Sequence, residues 1–291
     1  MKDRGLHVEG VCMGEAQGVY YAACLHGKKI VRIENGVAKD FVTAAQGGMG
    51  PVFSVRVDAK KKVLWAASSP MPDFNDTTSP RAAVYKYDIK TGKLLAKYEP
   101  ADQSKTYVLG DMALNSKGEV YVSDSKNSFI FRVDESKKVL EQFYSDEQFW
   151  NIQGITFSGD DKYLYVADYI KGIFRLEVKP RYLTQLECKL DVSLKGIDGL
   201  LFYENSLIAI QNGVKPLRVT RLTLTKTGDS VVGFTLLESN HPAFNEPTNG
   251  AIAGNHLVYV ANSQWSGYDN QNQPKPDTQL QDIVVLRLLL E

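Results

Sequence analysis

The sequence predicts an all-β fold, a six-bladed β-propeller built from four-stranded antiparallel blades. Three observations carry this expectation. First, the stretch Leu109–Asp134 reads as three short strands, DMALN, EVYVSD and FIFRVD, with period-two alternation and polar turns at Ser116–Gly118 and Ser125–Ser128. Second, that unit recurs. The third strand carries a basic residue in the same setting six times: Arg32 in IVRI, Lys86 in VYKY, Arg132 in IFRV, Arg175 in IFRL, Arg221 in VTRL and Arg287 in VLRL. The second strand recurs as GVYYAA, VLWAAS, EVYVSD, YLYVAD, SLIAIQ and LVYVAN, and the first as EGVCMG, SVRVDA, DMALNS, QGITFS, DGLLFY and NGAIAG. Third, the spacing is roughly 40–50 residues, the period of a propeller blade. Six units occupy the 291 residues with little left over, so a single domain is expected.

Taken in order, the blades are expected at about 7–44, 51–100, 107–143, 151–187, 195–238 and 246–291. Between the first two lies Gln46–Gly50. It is a connector and not a phosphate loop, because neither a lysine nor a helix follows. The second blade carries a large insertion, Ser69–Arg81, whose prolines and Asp/Asn content exclude regular strand. The sixth carries another, Gln264–Gln281, and then stops after DIVVLRLLL, one strand short. Propellers avoid an open edge by taking that strand from the other terminus. Either Met1–Leu6 pairs there briefly, or a segment before Met1 supplies it.

The apolar fraction is 43%, ample for a core between stacked blades, and the formal net charge is zero. Nothing in that balance points to nucleic acid or an anionic membrane as partner. No apolar run approaches a membrane span. MKDRGLHVEG lacks a signal-peptide core, so export would require a leader trimmed from this chain. The compartment stays open, and a monomer is the default. Cys12, Cys24 and Cys188 form no metal spacing and read as buried free thiols.

Chemistry is expected at the start of each first strand, where a propeller's innermost strands meet the channel mouth. The equivalent residues read as Glu9, Ser54, Asp111, Gln153, Asp198 and Asn249, all oxygen-bearing. Four are followed by glycine (Gly10, Gly154, Gly199, Gly250), which permits crowding near an axis. Carboxylates converging on a narrow channel repel unless protonated or bridged by a cation. An all-oxygen set suits a hard divalent ion, Ca²⁺ best, and argues against zinc. Both insertions open on the same face as these residues. So do His7, His26 and His241, and the aromatic residues Phe53, Phe74, Trp150, Tyr169, Phe244 and Trp265. An apolar wall over a polar floor is what a small-molecule site needs.

These motifs resemble the senescence-marker-protein/gluconolactonase superfamily, which includes regucalcin and luciferin-regenerating enzyme, with paraoxonase more distant. The resemblance spans all six blades. EGVCM is similar to the family's first-blade E-G motif, IQGITFSGDDKYLYVAD to its N-G-x-x-(S)-x-D-x-x-x-L-Y-x-A-D motif, and GIDGLLF to its P-D-G-(L/I) motif. Carried over, Glu9 and Asp198 match two carboxylate ligands of a catalytic divalent metal. Gln153 stands where the family has an asparagine ligand, and Gly110 where it has another asparagine beside the metal. Asn249 and Asp111 are the residues placed to make up that loss.

The expected function is therefore a metal-dependent hydrolase acting on a small lactone or ester. The divalent cation, held by Glu9, Gln153, Asp198 and Asn249, would act as Lewis acid, and Asp111, Asp198, His26 or His241 would relay the proton. Phe53, Ser54, Phe74, Trp150, Tyr169 and Trp265 would contact substrate. The alternative, from another class, is a non-catalytic propeller that presents its loop face to a small ligand or a protein.

Overall fold

The computed structural model describes residues 1, 3–71, 81–269, 273–276 and 279–290. Their regular structure is β-strand apart from short 3-10 turns, joined by turns and loops. Among them no helix is long and apolar enough to cross a membrane. The strands fall into antiparallel meanders, each in chain order. β1 (Val8–Met13), β2 (Val19–Cys24), β3 (Lys29–Glu34) and β4 (Val37–Val42) form the first. β5 (Val52–Asp58), β6 (Val63–Ser68), β7 (Ala83–Asp88) and β8 (Leu94–Pro100) are followed by β9 (Leu109–Leu114), β10 (Val120–Asp124), β11 (Phe129–Asp134) and β12 (Val139–Ser145). These two meanders join into one eight-stranded sheet, because the end of β8 pairs in parallel with the start of β12 at Glu99–Val139 and Pro100–Leu140.

Next come β13 (Ile152–Phe157), β14 (Tyr163–Asp168), β15 (Gly172–Glu177) and β16 (Tyr182–Gln185). β18 (Ile197–Tyr203), β19 (Ser206–Gln211), β20 (Arg218–Leu224) and β21 (Ser230–Ser239) are extended by the two-residue β17 (Glu187–Cys188), parallel to β21. The last sheet has three strands, β22 (Gly250–Ala253), β23 (His256–Val260) and β24 (Val285–Leu289).

The second strand of each meander is the most apolar because neighbouring sheets cover both its faces. β6, β10 and β19 are buried throughout. The resulting core is divided into clusters that each draw on adjacent meanders, as where Ala113, Tyr121 and Phe143 pack with Ile155, Leu164 and Phe174. The first strands β1, β5, β9, β13, β18 and β22 neighbour one another in that order, and β22 returns to β1. They enclose a central channel.

The repeated basic residues of the third strands are ties, not site residues. Lys86 Nζ lies 4.9 Å from the centre of the Trp65 ring and 2.5 Å from Glu135 Oε2. The Arg175 guanidinium lies 4.5 Å from the Tyr163 ring and donates to the Thr227 carbonyl at 2.8 Å. Aspartates ending the second strands fasten the loops. Asp168 accepts from the backbone N–H groups of Trp150, Asn151, Ile170 and Lys171 at 2.6–3.0 Å.

Met1–Leu6 does not run along β24. Its contacts lie before that strand, where the Met1 ammonium donates to the Ile283 carbonyl, Ile283 N donates to the Met1 carbonyl and Arg4 pairs with Asp282 at 2.8 Å. A 3-10 turn at Arg4–Leu6 then bends the segment into the core, where Leu6 is buried. Among the described residues, β24 pairs only with β23. Cys12 and Cys24 are buried free thiols, whereas Cys188, on the short β17, is only half-buried.

Candidate functional site

The channel mouth is built by one local device, repeated. Near the start of the first strand an extra residue interrupts the pairing with the second strand. Val8 and Gly10 pair with Cys24 and Ala23, leaving Glu9 unmatched. Val52 and Ser54 pair with Ser68 and Ala67, leaving Phe53, and Ile197 and Gly199 pair with Gln211 and Ile210, leaving Asp198. Gly110–Asp111 and Gln153–Gly154 are likewise squeezed opposite a single residue. In the last sheet, Thr248 N donates to the Val260 carbonyl while Val260 N donates to the Asn249 carbonyl. A bulge re-aims a side chain, and here it turns the second residue of each strand into the channel. Glycine follows at Gly154 because a Cβ there would lie 2.5 Å from Leu200 N of the next sheet.

This offset corrects one expected residue. Ser54 is the third residue of β5, not the second. It is fully buried, its hydroxyl has no partner among the described residues, and Phe53 takes the channel position. The other second residues, Glu9, Gly110, Gln153 and Asp198, line a single cavity of about 390 Å³ with Phe53 and with Asn249, which directly precedes β22. Asp111 lines it too. Val108 and Trp265 extend the apolar side, and Asn151, Tyr169, Asn212 and Glu246 the polar side.

Three further expected residues, Trp150, His26 and His241, are not in this wall. Trp150 is 69% exposed, because its backbone is held by Asp168 while its ring faces out. His241 Nδ1 accepts from Ala243 N at 3.1 Å in its own turn. His26 lies with its ring 5.7 Å from that of Tyr268. Phe74 lies outside the described residues. Neither His26 nor His241 lines the cavity.

The acids of the wall differ in how they are held. Asp111 is spoken for. Its Oδ1 accepts from Arg56 Nη2 at 2.6 Å, from Asn249 Nδ2 at 2.6 Å and from Met112 N at 2.7 Å, and its Oδ2 accepts from Ile155 N at 3.2 Å. Asn249 Oδ1 accepts in turn from Gly250 N at 2.7 Å and Arg56 Nη2 at 3.4 Å. This cluster crosses the channel floor from β9 to the residue before β22. Arg56 supplies the cation that converging carboxylates require, so Asp111 and Asn249 have little left to offer a metal.

Glu9 and Asp198 are each clamped by one oxygen. Glu9 Oε2 accepts from the Ser263 hydroxyl and from Trp265 Nε1 at 3.0 Å. Asp198 Oδ2 accepts from Asn212 Nδ2 at 2.6 Å, and Asn212 Oδ1 accepts from the Tyr169 hydroxyl at 2.9 Å, which fixes the amide. Gln153 Nε2 donates to Asn151 Oδ1 at 2.7 Å. Among the described residues, Glu9 Oε1, Asp198 Oδ1 and Gln153 Oε1 receive no donor.

Burial raises the Glu9 carboxyl well above the usual range, the Asp198 charge raises it further, and the hydrogen bonds from Ser263 and Trp265 oppose the rise. Burial also pushes Asp198 up to about 6. The Asn212 hydrogen bond opposes this, and the charges of Asp111 and Glu246 add to it. Two carboxylates that resist ionisation, with free oxygens beside a free amide oxygen, fit a hard cation. Among the described residues no three His, Cys, Asp or Glu side chains gather as a metal cluster, so any such ion would need ligands besides carboxylates, and Gln153 Oε1 is one on offer in the same wall.

Sequence reasoning missed Arg56, Asn151, Asn212 and Glu246. Arg56 left a signal, a lone charge inside the otherwise apolar first strand SVRV. The others sit on loops between strands and left none.

No family model matches the chain, and no curated protein matches it. Solved structures do. A catalytically inactive virginiamycin B lyase from Staphylococcus aureus, solved with quinupristin, is 16% identical over 90% of this chain and 80% of its own, with a TM-score of 0.64. A gluconolactonase from Xanthomonas campestris is 14% identical over 90% and 85%, also with a TM-score of 0.64. A chain of the nidogen/laminin complex is 16% identical over 91% and 96%, with a TM-score of 0.62. At this identity the likeness is one of fold, and it is similar in degree for enzymes and for a protein-binding module.

Proposed function

We propose that the chain is a six-bladed propeller whose cavity hydrolyses a small lactone or ester with a divalent cation, Ca²⁺ by its oxygen donors. The observation that carries this reading is the trio of undonated oxygens, Glu9 Oε1, Gln153 Oε1 and Asp198 Oδ1, beside two carboxylates whose other oxygens are clamped. The ring of six first strands supports the blade count, and the fold shared with a gluconolactonase is consistent with the chemistry.

Glu9, Gln153 and Asp198 would hold the cation, which when bound supplies Lewis acidity toward a carbonyl. The chain's own residues do the rest. Ser263 and Trp265 orient Glu9, and Tyr169 orients Asn212, which orients Asp198. Phe53, Val108 and Trp265 offer the apolar wall against which a ring would pack. Arg56 and Asn249 both hold Asp111 Oδ1 at 2.6 Å, so the proton of an attacking water is left to Asp198.

The test is metal content of the purified protein, with a lactone and aryl-ester screen run with and without chelator. Asp198→Asn keeps the shape and the Asn212 contact but removes a charge from the site, so turnover should fall to background. Undiminished turnover in that variant would rule out this use of Asp198. A second reading, a non-catalytic propeller that binds a ligand or protein through its loops, draws support from Trp150 and Ile170, exposed on the same face at 69% and 48%.

A further inference from the structure

We propose that the cavity selects its ligand by charge, taking esters or lactones that carry an ammonium group and excluding anionic ones, with Glu246 as the residue that sets the selection. The ester or lactone part rests on the hydrolase reading. The charge part does not.

Selection follows from which carboxylates of the wall meet a cation. Among the described residues the wall contains no Lys, Arg or His, against four carboxylates. Asp111 is cancelled by Arg56 at 2.6 Å. Glu9 and Asp198 form a pair whose charge a divalent cation would cancel, and without one they leave the wall more acidic still. Glu246 is left over. Its Oε2 accepts a single hydrogen bond, from Ser266 N at 3.2 Å, and among the described residues it has no ion pair. A backbone N–H orients a carboxylate without cancelling its charge. Lys275, on the same loop, is exposed and donates its ammonium to the Ser266 carbonyl at 2.6 Å.

Glu246 is also deliberately placed. Its backbone is left-handed, with φ 60°, a conformation that costs energy for a non-glycine residue. Ser263 N holds it there by donating to the Glu246 carbonyl at 3.1 Å. Glu246 lines the same cavity as Glu9, Asp198 and Tyr169. The rings of Trp265, Phe53 and Tyr169 stand around the same space. Their faces attract a cation and repel an anion. A carboxylate or phosphate in the cavity would meet amide groups but no cationic side chain of the described wall.

The experiment compares three esters of one shape: a trimethylammonium ester of the choline type, its neutral tert-butyl isostere and a sulfonate analogue. kcat/KM is measured for each with the wild-type protein, Glu246→Gln and Glu246→Asp, and tetramethylammonium binding is measured by calorimetry. We expect the cationic ester to be preferred over the neutral one by about tenfold or more, since a like or unlike charge in so enclosed a space is weakly screened. The preference should shrink about tenfold in Glu246→Gln, persist in Glu246→Asp, and weaken with salt in the wild type. Hydrolysis without charge preference overturns the proposal and leaves the hydrolase reading standing. Tetramethylammonium binding that depends on Glu246, with no ester turned over, supports the charge selection and removes the hydrolase reading. Preference that is insensitive to salt and unchanged in Glu246→Gln overturns the assignment to Glu246.

Discussion

Arg56 and Asp111 decide how the channel floor is read. Both side chains are mostly buried, 16% and 5% exposed, and they meet at 2.6 Å. Removing one partner of such a pair strands the other charge, a loss of about 3–5 kcal/mol, whereas replacing both by apolar residues is far milder. We therefore expect Arg56→Met to lower stability by about that amount, and Arg56→Met combined with Asp111→Leu to recover much of it. Chemical unfolding of the two single variants and the double variant measures the coupling, and simple additivity would show the pair to be unimportant. At this scale the sequence was partly legible. Glu9, Gln153, Asp198 and Asn249 could be picked out because each stands at the start of a repeated first strand. Ser54 was displaced by one position, because a bulge has no compositional mark of its own. Asp111 was found, but its role depends on Arg56, and a contact between side chains 55 positions apart cannot be seen in a linear string.

The strands were the most legible elements, since alternation and a recurring basic residue mark them directly. The basic residues proved to be ties between neighbouring strands and sheets, as Lys86 and Arg175 show. Loops were less legible. The insertion at Gln264–Gln281 contributes Trp265, which donates to Glu9, while the residues of the other insertion up to Pro80 from Pro72 lie outside the described set. The connector before β13 is held by Asp168, whose carboxylate accepts four backbone N–H groups. Replacing it by alanine leaves several donors unsatisfied, each costing about 1–3 kcal/mol if kept from water. Asp168→Ala should destabilise the protein by at least about 2 kcal/mol. It should also raise hydrogen exchange at Trp150, Asn151, Ile170 and Lys171 more than at Leu164 or Val166. Uniform exchange across these residues would mean that the aspartate does not fasten the loop.

Over the whole molecule, closure of the ring concentrates buried acid at one place, and this gives stability a definite dependence on pH. An Asp198 carboxyl pushed up to about 6 in the folded protein binds its proton more tightly than the unfolded chain does, whose carboxyl titrates near its ordinary value of about 3.8. Between about pH 4 and pH 6 the folded state therefore carries more protons than the unfolded state. Stability falls as pH rises wherever that holds. The contribution is fully present below about pH 4 and is lost as pH passes through about 6, and the raised carboxyl of Glu9 acts in the same direction. Two pH units correspond to about 3 kcal/mol at most. A divalent cation reverses the sign, because it binds the ionised pair and only in the folded state, adding stability that grows with free ion concentration. In chelator, the melting temperature should thus decline from pH 4 toward pH 7, after allowance for the ordinary carboxylates elsewhere. In millimolar calcium, the decline should be absent or inverted above pH 6. Asp198→Asn should flatten the chelator curve and remove most of the calcium effect together. If calcium raises the melting temperature of Asp198→Asn as much as that of the wild type, the ion binds elsewhere. If the chelator curve is flat in the wild type, the two carboxylates do not resist ionisation, and the case for a cation between them falls with it.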